Sequence, residues 1–135
     1  VATAWPSGCL AESQRVKIAV VANPLPTITL SSSLDMCQGD VNSLLSYTNI
    51  ANDPTRYSIA WSGSPVGFVD VNDAPLPLNN ITLTIPASAS AGTYTGILRV
   101  KNITTSCESE GIAFSIIVHP KPNVPNLEII TNSQY

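Results

Sequence analysis

The stretch CESEGIAFSIIVHPKP, residues 107–122, has a near copy in CLAESQRVKIAVVANPLP at residues 9–26. In the later copy Ile112, Phe114, Ile116 and Val118 alternate with Ala113, Ser115, Ile117 and His119, which predicts a β-strand with one wholly apolar face and one mixed face. Val16, Ile18, Val20 and Ala22 repeat the apolar face, and Pro24 and Pro26 stand where Pro120 and Pro122 stand. The prolines are offset by 96 residues (Pro24 to Pro120) and the cysteines by 98 (Cys9 to Cys107), so the copies differ by two residues in the loop between cysteine and strand. A period near 96 is the size of one β-sandwich domain.

The match extends outward on both sides. VATAWPSGC stands to Cys9 roughly as VKNITTSC stands to Cys107, and PNLEIITNSQY resembles PTITLSSSLDM, the run that leads to Cys37. The expected organisation is one complete repeat over 25–122. Residues 1–24 then carry the last strand of a preceding repeat, or a donated strand, and 123–135 the first strand of a following one. A chain that opens on Val1 without an initiator Met fits a piece of something larger.

Composition bounds the function classes. With 44% hydrophobic residues the chain can fill a core, whereas 11% charged residues, a net charge of -3 and a pI near 4.8 leave nothing to neutralise a run of phosphates. No nucleic-acid partner is expected. Runs such as IAVVA and SIIV fall far short of the ~20 apolar residues of a membrane helix, so no membrane insertion is expected either. Helix signals are nearly absent, and short runs rich in Val, Ile, Thr and Tyr recur between Pro, Gly, Asn and Ser clusters. The chain reads as all-β, with strands expected at 16–22, 27–31, 43–48, 57–62, 67–71, 80–85, 93–101, 112–119 and 127–131.

The central unit, with CQGD at 37–40, IAWSG at 59–63, ITLTIPASASAGTYTGILRVKN at 81–102 and the closing SCES-to-PKP run, resembles the immunoglobulin-like tandem repeats of very large secreted surface proteins of gliding, Bacteroidota-type bacteria. The resemblance covers about three quarters of the chain. It implies an immunoglobulin-like β-sandwich of about seven strands, and an extracellular, adhesin-like parent displayed on the cell surface. The sorting domain that anchors such proteins has no counterpart among these residues.

Individual residues agree with a sandwich. Trp61 alternates with Tyr57 and Ile59 where a sandwich needs one large ring between its sheets. Tyr94 opens a long strand after an Ala-rich corner, a position from which a tyrosine hydroxyl ties the strand back to the preceding loop. Cys37 and Cys107 belong to one repeat and would enclose roughly 70 residues; a bridge there would contribute on the order of 4 kcal/mol in the chain-entropy picture. Against it, an immunoglobulin topology sets the two at opposite ends of the sandwich. Pairing of Cys9 with Cys37, or three free thiols, are the other readings.

Chemistry has little foothold. Asp70, Asn72 and Asp73 in DVNDAP offer oxygen ligands to a hard cation, but Asn and Asp before Pro more commonly make a turn. The triplets Asn80-Ile81-Thr82 and Asn102-Ile103-Thr104 are glycan acceptors only in a eukaryotic secreted setting. His119, the one histidine, sits beside Pro120 with no nucleophile assignable to it, and Glu108 and Glu110 flank Cys107 in a loop. Neither an enzyme nor a cofactor is expected. Three roles remain: a spacer or adhesive repeat adding roughly 35 to 45 Å per unit, from strands of ~10 residues rising ~3.3 Å each plus a Pro linker; a filament subunit that donates 16–22 to a neighbour's sheet edge; and a carbohydrate-binding module, for which Trp5 and Tyr135 are the aromatic candidates. The expected partners are neighbouring repeats or other copies, and surface polysaccharide for the third role.

Overall fold

The computed structural model describes residues 17–31 and 33–123, which form nine strands and no helix. They are β1 (Thr27–Leu30), β2 (Ser33–Cys37), β3 (Asn42–Ala51), β4 (Arg56–Trp61), β5 (Val71–Pro75), β6 (Asn80–Thr84), β7 (Gly92–Asn102), β8 (Cys107–Glu108) and β9 (Ile112–His119). Three strands make one sheet in the order β1-β3-β6, antiparallel throughout. The larger sheet runs β2-β9-β7-β4-β5, with β8 paired to β7. Its neighbours are antiparallel except β2 and β9, which are parallel.

Alternation explains which faces meet. The small sheet contributes Ile28, Leu45, Tyr47, Ile81 and Leu83 to the core; the large one contributes Met36, Ile59, Trp61, Leu98, Val100, Phe114, Ile116 and Val118. Two sheets closed on a shared apolar layer make this an all-β, sandwich-like fold. Residue 31 marks a switch: the Ser31 N–H still donates to the Ser46 carbonyl of the small sheet, and two residues later β2 pairs with β9 of the large one. The CQGD run turns the chain back after β2. The Asp40 N–H closes a four-residue turn on the Cys37 carbonyl, and Gly39, at φ +100°, supplies the left-handed third position.

The expected strand at 112–119 is β9 with the same bounds, and those at 27–31, 43–48, 57–62, 80–85 and 93–101 correspond to β1, β3, β4, β6 and β7. Four expectations differ. The strand expected at 67–71 is displaced to Val71–Pro75, because Gly63, Ser64 and Gly67 all have positive φ and hold 62–70 as a loop. Much of DVNDAP is therefore an edge strand instead of a turn, where Pro75 leaves no ladder bond unmade on its open side. Strand β2 was not expected: SSSLDM looks polar, and only Met36 of it is buried while Leu34 is half-buried. The two-residue β8 was not expected either.

The fourth difference concerns the amino-terminal flank. Of the strand expected at 16–22, residues 17–22 are described; they form no strand and lie exposed, Ile18 at 79% and Val20 at 84%. A strand exists only through its partner's hydrogen bonds, and no edge of this sandwich supplies them. Val16 and the strand expected at 127–131 lie outside the described residues.

Trp61 is buried edge-on against Phe68 and Phe114, at ring-centroid distances of 4.7 and 5.6 Å. Replacing it with alanine is expected to lower stability by about 3 to 5 kcal/mol, as for other core aromatic truncations. A urea or thermal melt measures this, and an unchanged midpoint would contradict the packing described.

Candidate functional site

Three regions present chemistry or unsatisfied surface: the end where the chain enters, the end where it leaves, and one open flank. At the entry end the chain passes through Pro24 and Pro26 into β1, beside the β3–β4 and β7–β8 connections. The Asn52 side-chain amide donates to the Leu25 carbonyl at 2.7 Å, and the Asn102 amide donates to the Asn52 carbonyl at 3.0 Å. Asn102 Oδ1 in turn accepts from the backbone N–H groups of Thr104 and Thr105. The nitrogen that a glycan would occupy is thus already engaged. The Sγ of Cys107 approaches the Asn23 carbonyl at 3.9 Å. A shallow cleft of about 360 Å³ lies here, lined by Leu25, Pro26, Ile28, Ser109 and Ile112 among others.

Ser109 is the one buried polar residue among those described, and it is fully used. Its hydroxyl accepts from the Val100 N–H at 3.0 Å and donates to the Glu110 carbonyl at 2.9 Å, while its own N–H reaches the Val100 carbonyl at 2.8 Å. Satisfied in this way, it holds the β8–β9 loop against β7 without leaving a buried polar atom unpaired.

At the exit end Cys37 stands opposite His119 across the parallel β2–β9 pair, and the Gln38 N–H donates to the His119 carbonyl at 2.9 Å. His119 Nε2 lies 2.7 Å from Asp35 Oδ1, both side chains more than half exposed. That is a surface contact at a strand end, with the exposed Cys37 on the neighbouring strand. Glu108 is on β8 and Glu110 in the loop that follows.

Cys37 and Cys107 are free thiols, which corrects the expected bridge between them. The reason is positional. Cys107 pairs with Asn102 at one end of β7, while Gly92 at the other end pairs with Val118, the neighbour of Cys37's partner His119. Ten residues of strand separate those ends, about 33 Å at ~3.3 Å per residue, and a disulfide needs Cα atoms about 4.4–6.8 Å apart. Cys9 lies outside the described residues.

DVNDAP is committed to the fold. Asp70 Oδ1 accepts the Trp61 backbone N–H at 2.9 Å, the Asp73 N–H donates to Ser58 Oγ at 3.0 Å, and Arg56 donates to the Asp73 carbonyl at 3.1 Å. Asn72 is exposed on β5. Among the described residues no three His, Cys, Asp or Glu side chains gather as a metal site would require. Tyr94 donates its hydroxyl to the Ser90 carbonyl at 2.8 Å, four residues upstream. Burial pushes the Tyr57 phenol above its ordinary value, which keeps it protonated near neutral pH.

The open flank lies between the edge strands β5 and β6. A slot of about 250 Å³ there is lined mainly by apolar groups, with Trp61, Val69, Val71 and Leu83 on its walls. Val66, Val69 and Leu78, in the adjoining loops, are exposed. The described aromatics are all turned inward: Tyr47, Trp61 and Phe114 are buried and Tyr57, Phe68 and Tyr94 half-buried. Trp5 and Tyr135 lie outside the described residues. Asn52, Asn102 and Ser109 carry the end contacts; nothing in the sequence singled them out for that role, because their partners come from distant loops.

Comparison with known protein families, with characterised proteins and with solved structures returns no match.

Because the Asp70 carboxylate already accepts the Trp61 N–H and the described His, Cys, Asp and Glu side chains do not gather in threes, adding calcium or a chelator is expected to leave the melting temperature unchanged. A fall of many degrees on chelation would make Asp70, Asn72 and Asp73 ligands.

Proposed function

We propose that the chain carries an immunoglobulin-like repeat of an extracellular cell-surface protein and works, without catalysis or a cofactor, as a spacer or adhesive stalk unit. The observation that carries this reading is the polarity of the sandwich. The chain enters β1 beside the end of β3 and leaves β9 beyond the start of β7, at the opposite end. Units joined through Pro-x-Pro linkers therefore add length instead of folding back on one another. The strand β7, 11 residues long, spans about 36 Å at ~3.3 Å per residue. Neutral polar side chains cover much of the outside, and the linker prolines restrict bending between units.

The immunoglobulin-like assignment is supported by the strand order, by a first strand divided between the two sheets, by Trp61 on the inner face of β4 and by Tyr94 near the start of β7 with its hydroxyl on an upstream carbonyl. Export and display rest on the resemblance to surface repeats. Neighbouring repeats are the partners. Surface polysaccharide is a weaker partner, since the described aromatics are turned into the core. Small-angle scattering on chains of one, two and three units tests the spacer: the maximum dimension is expected to grow by roughly 35 to 45 Å per unit, and a dimension that stays constant would refute it.

A second reading, a filament subunit assembled by strand donation, is favoured by one observation. Residues 17–22 carry an alternating apolar face with nothing on it, and the open flank offers an unpaired edge beside an apolar slot. Ile18→Asp combined with Val20→Asp is expected to abolish self-association of the 135-residue chain if that reading is right. Unchanged sedimentation of the double variant would leave the spacer alone.

A further inference from the structure

We propose that Cys37 of one unit and Cys107 of the unit that follows are joined by a disulfide across the seam between them. The proposal rests on the repeat reading above. Within a unit the two thiols sit at opposite ends, and each of them stands beside a linker. Cys37 is directly opposite His119, whose carbonyl also accepts the Gln38 N–H. Cys107 holds its Sγ 3.9 Å from the Asn23 carbonyl.

The repeat register makes these two linker positions one and the same. The offset of 96 that places Pro24 on Pro120 also places Asn23 on His119. The residue that is His119 for one unit is therefore, for the next unit, the residue in Asn23's place. It meets Cys37 on one side of the seam and Cys107 on the other. Adjacent strands lie about 4.8 Å apart, so each cysteine is within about one strand spacing or one side-chain length of a shared residue, and the bridge forms when the seam sets their Cα atoms about 4.4–6.8 Å apart. Cys37 is exposed and Cys107 half-buried, so both are open to an oxidant. Cys9 matches Cys107 in the preceding unit and belongs to the seam before this one.

The oxidant is a low-molecular-weight disulfide. The Cys37 thiolate attacks one of its sulfurs, forming a mixed disulfide and releasing one small thiol; the Cys107 thiolate then attacks the Cys37 sulfur and releases the second. One S–S bond is lost and one formed, and the two protons and two electrons given up by the cysteines end on the two small thiols.

The test keeps the whole chain and inserts one unit in register, residues 1–119 followed directly by 24–135. After incubation with glutathione disulfide, unreduced peptide mapping is expected to find the Cys37 peptide joined to the Cys107 peptide. Cys37→Ser in the first unit alone, or Cys107→Ser in the second alone, is expected to abolish the bridge, and Cys9→Ser to leave it intact. Maleimide labelling of both the first unit's Cys37 and the second unit's Cys107, or a bridge that survives both single-unit substitutions, would overturn the proposal. Calorimetry separates the two levels of failure. An unfolding enthalpy that does not double on insertion refutes the repeat reading and the bridge with it, whereas a doubled enthalpy with the first unit's Cys37 and the second unit's Cys107 still free refutes the bridge alone. A bridge from Cys37 to Cys107 inside the unaltered 135-residue chain would also overturn it.

Discussion

The indole of Trp61 is where the two sheets and the exit-end loops are held together. Its ring lies edge-on to Phe114 of β9 and to Phe68 of the 62–70 loop, and Phe68 stacks on Tyr94 at 4.5 Å. Its Nε1 donates to the Val69 carbonyl at 3.2 Å, while its backbone N–H is received by Asp70. One side chain thus fixes a loop whose positive-φ residues would otherwise leave it without a preferred course. Phe114 fits because its cross-strand partner is Gly96: a methyl group at 96 would overlap the ring. The series Phe114, Trp61, Phe68 and Tyr94 ends in the Tyr94 hydroxyl on the Ser90 carbonyl, so the core packing reaches the β6–β7 loop as well. Its result is an exit end whose loops are tied to the core.

The entry end is made firm by different means. Side-chain amides do the work there, Asn102 on Asn52 and Asn52 on Leu25, with Pro26 buried at the start of β1. Each such bond contributes on the order of 1 kcal/mol net, less where water competes, so the linker is held in direction without being locked. In the proposed array this gives each seam one stiff side and one softer side. The bending that the seam allows would then be taken up at Asn23 and Leu25, between the prolines.

What was legible in the sequence follows from where each signal resides. Strands β3, β4, β6, β7 and β9 face the core on alternate residues, so a period of two is written into them and their positions were readable. Trp61 was readable for the same reason. Strand β2 was not, because it buries only Met36 and depends on the ladder that β9 offers. Strand β5 was not, because it is an edge whose pairing shifts register between Tyr57 and Ile59. The flank at 17–22 shows the converse: its pattern is that of a strand, yet pattern without a partner produces no strand. The end contacts made by Asn52, Asn102, Asp70 and Ser109 were invisible, since a short polar residue in a loop reads the same whether it faces water or a distant carbonyl.

The cysteines show how the same residues change meaning with the frame in which they are read. Read within one unit, Cys37 and Cys107 invite a bridge that would restrict the unfolded chain, and the length of β7 forbids it. In the proposed array they would meet at a single linker residue, and a bridge there would do little to the stability of either sandwich. It would instead act on the motion of one unit against the next, adding a second covalent strand beside a linker that otherwise carries all the tension. A linker of three residues with two prolines resists bending but still turns about its remaining torsions. A cross-link placed off that axis removes the turning, which the hydrogen bonds of Asn52 and Gln38 oppose only weakly. Such a seam would convert a string of jointed sandwiches into a rod whose stiffness depends on the redox state of its surroundings.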